Sequence, residues 1–140
     1  VTTRRRRRWL AWTPAALNAA LIWAVSSMSH PDFVPVADVP FKDKGVHFLV
    51  FGVLGLFVAH GARRTWPTWS LARVFALTVL CIIAWGALDE GHQFFVPGRD
   101  CDVHDVLADA LGGVVGAGML VAVTALRLAN ARRPRDTSAP

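Results

Sequence analysis

The chain has 140 residues, room for one compact domain, yet 54% of them are hydrophobic and only 18% charged, with mean hydropathy +0.39, which argues against an ordinary soluble domain. A net charge of +5 and a pI near 10.6 would point to nucleic acid in a soluble protein. Here the basic residues sit at helix ends and in tails, and no segment has the make-up of a groove-reading module, so anionic lipid head groups are the expected partner and nucleic acid is not.

A bilayer core takes about 20 apolar residues in helical form, where each helix satisfies its own backbone groups. The first candidate span runs from Trp9 to Met28, behind a basic run from Arg4 to Arg8. A basic run before an apolar stretch resembles a secretory signal. This stretch is longer than such signals usually are and no clear small-x-small site closes it, although Ser26 and Ser27 are near, so a retained span is expected. A connection from Ser29 to Gly45 with Pro31, Pro35 and Pro40 follows. The second span runs from Val46 to about Ala62, then a short basic connection interrupted by Pro67. The third runs from Ser70 to Leu88, then a connection with the turn signal Pro97-Gly98. The fourth runs from Val103 to Leu126, with Asp102 and Asp105 placed to cap its start and a polar tail behind it. The pattern therefore predicts an all-α bundle of four transmembrane helices: a basic N-terminal tail (1–8), the membrane domain (9–126) and a polar C-terminal tail (127–140) that is expected to be disordered.

Twelve of the fifteen Lys and Arg residues fall on one side of this layout: five in the N-terminal run, three around the second connection and four at the C-terminal end. Only Lys42, Lys44 and Arg99 fall on the other. The positive-inside rule then puts both termini in the cytoplasm, with the plasma (inner) membrane as the expected location. Cys81 and Cys101 should lie at different depths, which disfavours a disulfide, and no Cys/His spacing marks a zinc site. Gly112 and Gly116 form a GxxxG pair, and Gly52 and Gly55 are spaced to let a neighbouring helix approach.

The acidic residues show the opposite bias: nine of ten fall on the outer side, with four of the five histidines. Three short segments carry the chemistry. Asp43 and His47 are four residues apart, Asp89 and Glu90 stand four and three residues before Gln93, and Asp105 and Asp109 are four apart, so each helix presents a polar stripe near its outer end. An ionised side chain at the bilayer centre costs about 2.5–3.5 kcal/mol on insertion scales, so these groups should face the bundle or water and find partners. Asp89, Glu90, Asp105 and Asp109 could hold a divalent cation through oxygen. His47, oriented by Asp43, could act as general base or nucleophile beside Glu90 and Asp89. Lys44 and Arg99 could hold a phosphate, with Gln93, Asp105 and Asp109 as further ligand-binding groups.

At these segments the chain resembles the VanZ-like membrane protein family, whose pattern is an Asp-Lys-x-x-His block opening one helix, an Asp-Glu-x-x-Gln block closing the next, a nearby Phe-x-x-x-Arg, and an Asp-x-x-x-Asn-x-x-Gly block opening the last. Here these are Asp43-Lys44-x-x-His47, Asp89-Glu90-x-x-Gln93, Phe95-Val-Pro-Gly-Arg99, and Asp105, Asp109 and Gly112. Asp109 stands where the family usually has Asn; an Asp donates a hydrogen bond only when protonated. The family takes its name from a protein linked to low-level teicoplanin resistance, so the resemblance implies a role in the cell envelope and in antibiotic resistance without supplying a reaction. Two functions follow as expectations. One is a binding protein for an envelope lipid or lipid-linked precursor at an extracytoplasmic polar pocket. The other is a membrane-embedded enzyme for phosphoryl transfer or phosphoester hydrolysis on a lipid or polyprenyl phosphate. A transport role would call for an oligomer, since four helices make a thin pathway.

Overall fold

The computed structural model describes residues 2–29, 42–99 and 101–132, with side chains described from residue 6 onward in the first stretch and from residue 44 in the second. Every element among them is helical: α1 (Thr2–Leu10), α2 (Thr13–Ser26), α3 (Lys42–Thr65), α4 (Leu71–Gln93) and α5 (Val103–Ala131). Four stretches are long and apolar enough to cross a membrane: Arg6–Ser26, Lys44–Thr65, Leu71–Gln93 and Val103–Arg132. The first comprises two helices rather than one. Pro14, in the first turn of α2, has no N–H to offer the carbonyl of Leu10 and its ring crowds that carbonyl, so the chain turns at Ala11 and Trp12 through bonds from Ala11 N to Arg8 O and Trp12 N to Trp9 O.

The other spans are longer than their apolar runs. α4 continues past Leu88 to Gln93 and α3 starts before Val46, because the polar residues of those extra turns find partners inside the bundle. α5 runs past Leu126 to Ala131, so the first residues of the expected C-terminal tail are helical, while 133–140 and most of the proline-containing connection lie outside the described residues. Side-chain caps define two starts: Ser70 Oγ accepts from Arg73 N at 3.3 Å for α4, and Asp102 accepts from His104 N at 2.8 Å for α5. Between α4 and α5 the turn passes through Gly98 at φ 79°, a left-handed conformation that glycine adopts without steric cost.

Packing fixes the relative directions. The beginning of α3 meets the beginning of α5 (His47 with Asp109), whereas Gly86, near the end of α4, lies against Asp109. Ser26, ending α2, meets Asp89 near the end of α4, and Trp12, before α2, donates to Thr65 at the end of α3 at 2.8 Å. So α3 and α5 run one way and α2 and α4 the other, as successive crossings of a membrane would. The α3–α5 contact is the closest. A Cβ at Gly112 would lie 2.1 Å from the Phe48 carbonyl oxygen, one at Gly116 1.9 Å from the Gly52 oxygen, and one at Gly55 2.6 Å from the Gly113 oxygen. The small-residue spacing therefore does bring two backbones together.

Phe51, Leu54, Val58, Ile82, Val74 and Ala117 form the interior, while Leu17, Leu49, Leu80, Leu107 and Met119 are exposed, an arrangement suited to hydrocarbon outside the bundle. At the end holding the α3–α4 connection, Trp12 meets Trp66 edge-on at 6.1 Å and Trp66 stacks on Trp69 at 4.5 Å, an interfacial cluster beside Arg63 and Arg64. Both cysteines are exposed free thiols.

Candidate functional site

The bundle's other end gathers the last turns of α2 and α4 and the first turns of α3 and α5, and the polar residues of all four meet there. Asp89, fully buried, accepts at Oδ2 from Ser26 Oγ at 2.7 Å and from Gln93 Nε2 at 3.1 Å. The same Gln93 amide donates to Glu90 Oε1 at 3.3 Å, so the four- and three-residue spacings read from the sequence are used together. Glu90 Oε2 accepts from the backbone N–H of Asp102 at 3.0 Å, which ties α4 to the start of α5.

From α3, Lys44 Nζ donates to Asp102 Oδ2 at 2.7 Å and Asp105 Oδ1 at 2.8 Å. Asp102 is thereby a hub, since its Oδ1 also meets His104 N at 2.8 Å and His104 Nδ1 at 2.7 Å. The Lys44 ammonium, helped by the His104 contacts, holds the Asp102 carboxyl well below the usual carboxylate range. One helical turn inward, His47 Nδ1 is 2.9 Å from Oδ1 of the fully buried Asp109. Gly86 makes that position available: a Cβ there would stand 2.7 Å from Asp109 Oδ2.

Asp89, Glu90, Gln93, Asp105 and Asp109, all buried, thus share one end of the bundle with the half-buried Lys44 and His47, in a network drawn from three helices. The Asp43 side chain lies outside the described residues, and the carboxylate that the structure places on His47 Nδ1 is that of Asp109. Arg99 works elsewhere: Nε donates to Met28 O at 3.2 Å and Nη2 to Val25 O at 3.3 Å, closing the carbonyl end of α2. Lys44 is thus held by Asp102 and Asp105, and Arg99 is engaged by the end of α2.

The metal-ligating geometry also differs from the expected four-carboxylate set. Among the described residues, donor atoms of His47, Glu90 and Asp105 lie within 4.8 Å of one another. Asp89 and Asp109 are not in that group and are bonded to Gln93 and His47 respectively. Among the described residues, Asp89 Oδ1 and Asp109 Oδ2 are buried without hydrogen-bond partners, in a network that sets five carboxyl groups (Asp89, Glu90, Asp102, Asp105 and Asp109) beside Lys44.

Four further residues contribute to this end of the bundle. Ser26 and Gly86 are a small hydroxyl and a glycine whose importance lies in residues 63 and 23 positions away, and no local pattern marks them. Asp102 was legible as a cap but not as the partner of Lys44. His92 stacks on Trp23 at 4.2 Å and meets Ser27 Oγ at 2.9 Å, pinning the end of α2 to that of α4.

The VanZ/LLP1 family model matches residues 4–125. The chain belongs to the VanZ/LLP1 family. That match takes in three spans, most of the fourth and every residue of the network, so this is a VanZ-like membrane protein. No curated protein and no solved structure gives a significant match. Within this VanZ-like chain, Asp109 uses a carboxylate oxygen to accept from, or share a proton with, His47, a role an amide oxygen at the same position could also fill as an acceptor.

Proposed function

We propose that this VanZ-like protein binds the head group of an envelope lipid or lipid-linked precursor at the network of Lys44, His47, Glu90, Asp105 and Asp109, on the extracytoplasmic face of the plasma membrane. The observation that carries this reading is the convergence of charged side chains from α3, α4 and α5 at one end of an otherwise apolar bundle. Buried charges cost stability unless they are paired, so a paired cluster with uncompensated oxygens is a place built for a polar ligand. The orientation rests on the twelve-to-three bias of basic residues, which puts both termini in the cytoplasm and the network outside. Hydroxyl- or amine-bearing head groups suit the excess of carboxylates, and the exposed Phe94 and Phe95 beside the network supply an interfacial platform for a lipid chain.

The His47–Asp109 pair favours a second reading, in which His47 acts as a base on a phosphoester of the same ligand class. One experiment separates the two. Purified protein in detergent is mixed with polyprenyl phosphate or with phospholipid, and its thermal midpoint and the fate of the lipid are followed. Binding raises the midpoint of the parent and not of Lys44→Ala, with the lipid recovered intact. Released phosphate that disappears in His47→Ala supports the enzymatic reading instead. Neither a shift nor turnover with either lipid contradicts both.

A further inference from the structure

The geometry points to a divalent metal site at this same network, formed by His47, Glu90 and Asp105, for a first-row ion such as Zn²⁺ or Mn²⁺. The inference deepens the proposed ligand-binding reading, since a bound cation would let an acid-rich pocket receive a phosphate, but metal binding stands on its own observations. Three donors of mixed type come from three different helices, α3, α4 and α5, and lie within 4.8 Å of one another. Ligands at about 2.0–2.2 Å from a tetrahedral ion stand about 3.4 Å apart, so the donors need to draw in by at most about 1.4 Å. One imidazole nitrogen with two carboxylates suits Zn²⁺ or Mn²⁺ better than the all-oxygen preference of Mg²⁺ or Ca²⁺.

The surroundings are those of a ligand shell held from behind. His47 Nδ1 is engaged by Asp109 Oδ1 at 2.9 Å, which leaves Nε2 as the coordinating nitrogen and reproduces the carboxylate–histidine arrangement that orients metal ligands. Glu90 Oε1 accepts from Gln93 and Oε2 from the backbone of Asp102, so an ion would use the second lone pair of one of them, while Lys44 takes Oδ1 of Asp105 and leaves Oδ2 for an ion. Among the described residues, the buried oxygens Asp89 Oδ1 and Asp109 Oδ2 have no hydrogen-bond partner, and a cation in the network would offset the charge of its five carboxyl groups (Asp89, Glu90, Asp102, Asp105 and Asp109) beside Lys44. Three protein ligands leave a coordination position for water or for an oxygen of a bound head group.

The test uses the full chain in detergent, stripped with chelator and titrated with Zn²⁺, Mn²⁺ or Mg²⁺ alone, with no lipid present, so that its outcome does not depend on the proposed ligand. The expected result is one Zn²⁺ or Mn²⁺ per chain by elemental analysis after desalting. The near-isosteric Glu90→Gln and Asp105→Asn variants abolish binding, Asp109→Ala weakens it about 10–100-fold, and His60→Ala, at an exposed imidazole near the other end of α3, leaves it unchanged. Should a ligand variant fail to fold by circular dichroism, X-ray absorption on the zinc-loaded parent decides instead, and a shell of one imidazole nitrogen with oxygens is expected. Absence of binding by the parent, stoichiometric binding in the Glu90→Gln/Asp105→Asn double variant, or a shell without imidazole each overturns the site.

Discussion

Replacing Gly116 or Gly112 by Ala tests how tightly α3 and α5 are held. At Gly116 the new methyl group would lie 1.9 Å from the Gly52 carbonyl oxygen, and ordinary contact begins at 3.4 Å, so the two backbones must part by about 1.5 Å. The obstacle is backbone, which cannot swing aside as a side chain can. Overpacking of this kind costs about 1–3 kcal/mol. At Gly112 the separation needed is about 1.3 Å, from 2.1 Å to 3.4 Å, one turn from the His47–Asp109 contact. Carried over to that contact, it would stretch 2.9 Å to about 4.2 Å, beyond hydrogen-bonding range. Thermal unfolding in detergent, followed by far-ultraviolet circular dichroism, measures the loss. Gly118→Ala in the same helix is the control, because a Cβ there meets nothing within 4 Å. It should be neutral or stabilising by up to about 1 kcal/mol through helix propensity. Gly112→Ala and Gly116→Ala proteins as stable as Gly118→Ala would refute the close crossing.

The acid dependence of the Lys44–Asp102 link has a defined sign. Because the folded-state pKa of Asp102 is depressed, the link stabilises fully above the ordinary carboxylate range and is lost as pH falls through the lower folded value. The difference in thermal midpoint between the parent and Asp102→Asn should therefore be the same at pH 7 and pH 5.5 and shrink only below about pH 4; a difference that has vanished by pH 5.5 speaks against the pairing. The native cysteines report orientation. A membrane-impermeant maleimide added to intact cells should label Cys101, exposed in the turn before α5, and spare Cys81 within the α4 span. Labelling of Cys101 only after permeabilisation would place the network on the cytoplasmic side.

The four spans were legible because hydrocarbon imposes a length and an apolarity that any reader of the sequence can count. Their true ends were less so. Asp89 to Gln93 look like the start of a loop when judged by polarity, yet they continue α4 because Ser26, Gln93 and the Asp102 backbone satisfy them. Spacing of three and four residues put Glu90, Gln93 and Asp89 on one face, and the structure uses that face. Cross-helix choices were not written in spacing. Asp43 and Asp109 were both available to His47 by chemistry, and only the parallel α3–α5 crossing set by Gly52, Gly112 and Gly116 places Asp109 there. Arg99 shows the same limit, since a cation near an acidic cluster was drawn instead to the open carbonyls of α2.

Zero-length carbodiimide coupling tests most directly whether separate spans bring their charged groups into one pocket. Lys44 Nζ lies 2.7 Å from Asp102 and 2.8 Å from Asp105, so activation of either carboxylate should yield an amide between Lys44 and one of them, found by mass spectrometry of the digested protein and absent in Lys44→Arg. Coupling of Lys44 to neither residue, with activated carboxylates detected at Asp102 or Asp105 as trapped by an added amine, would contradict the account.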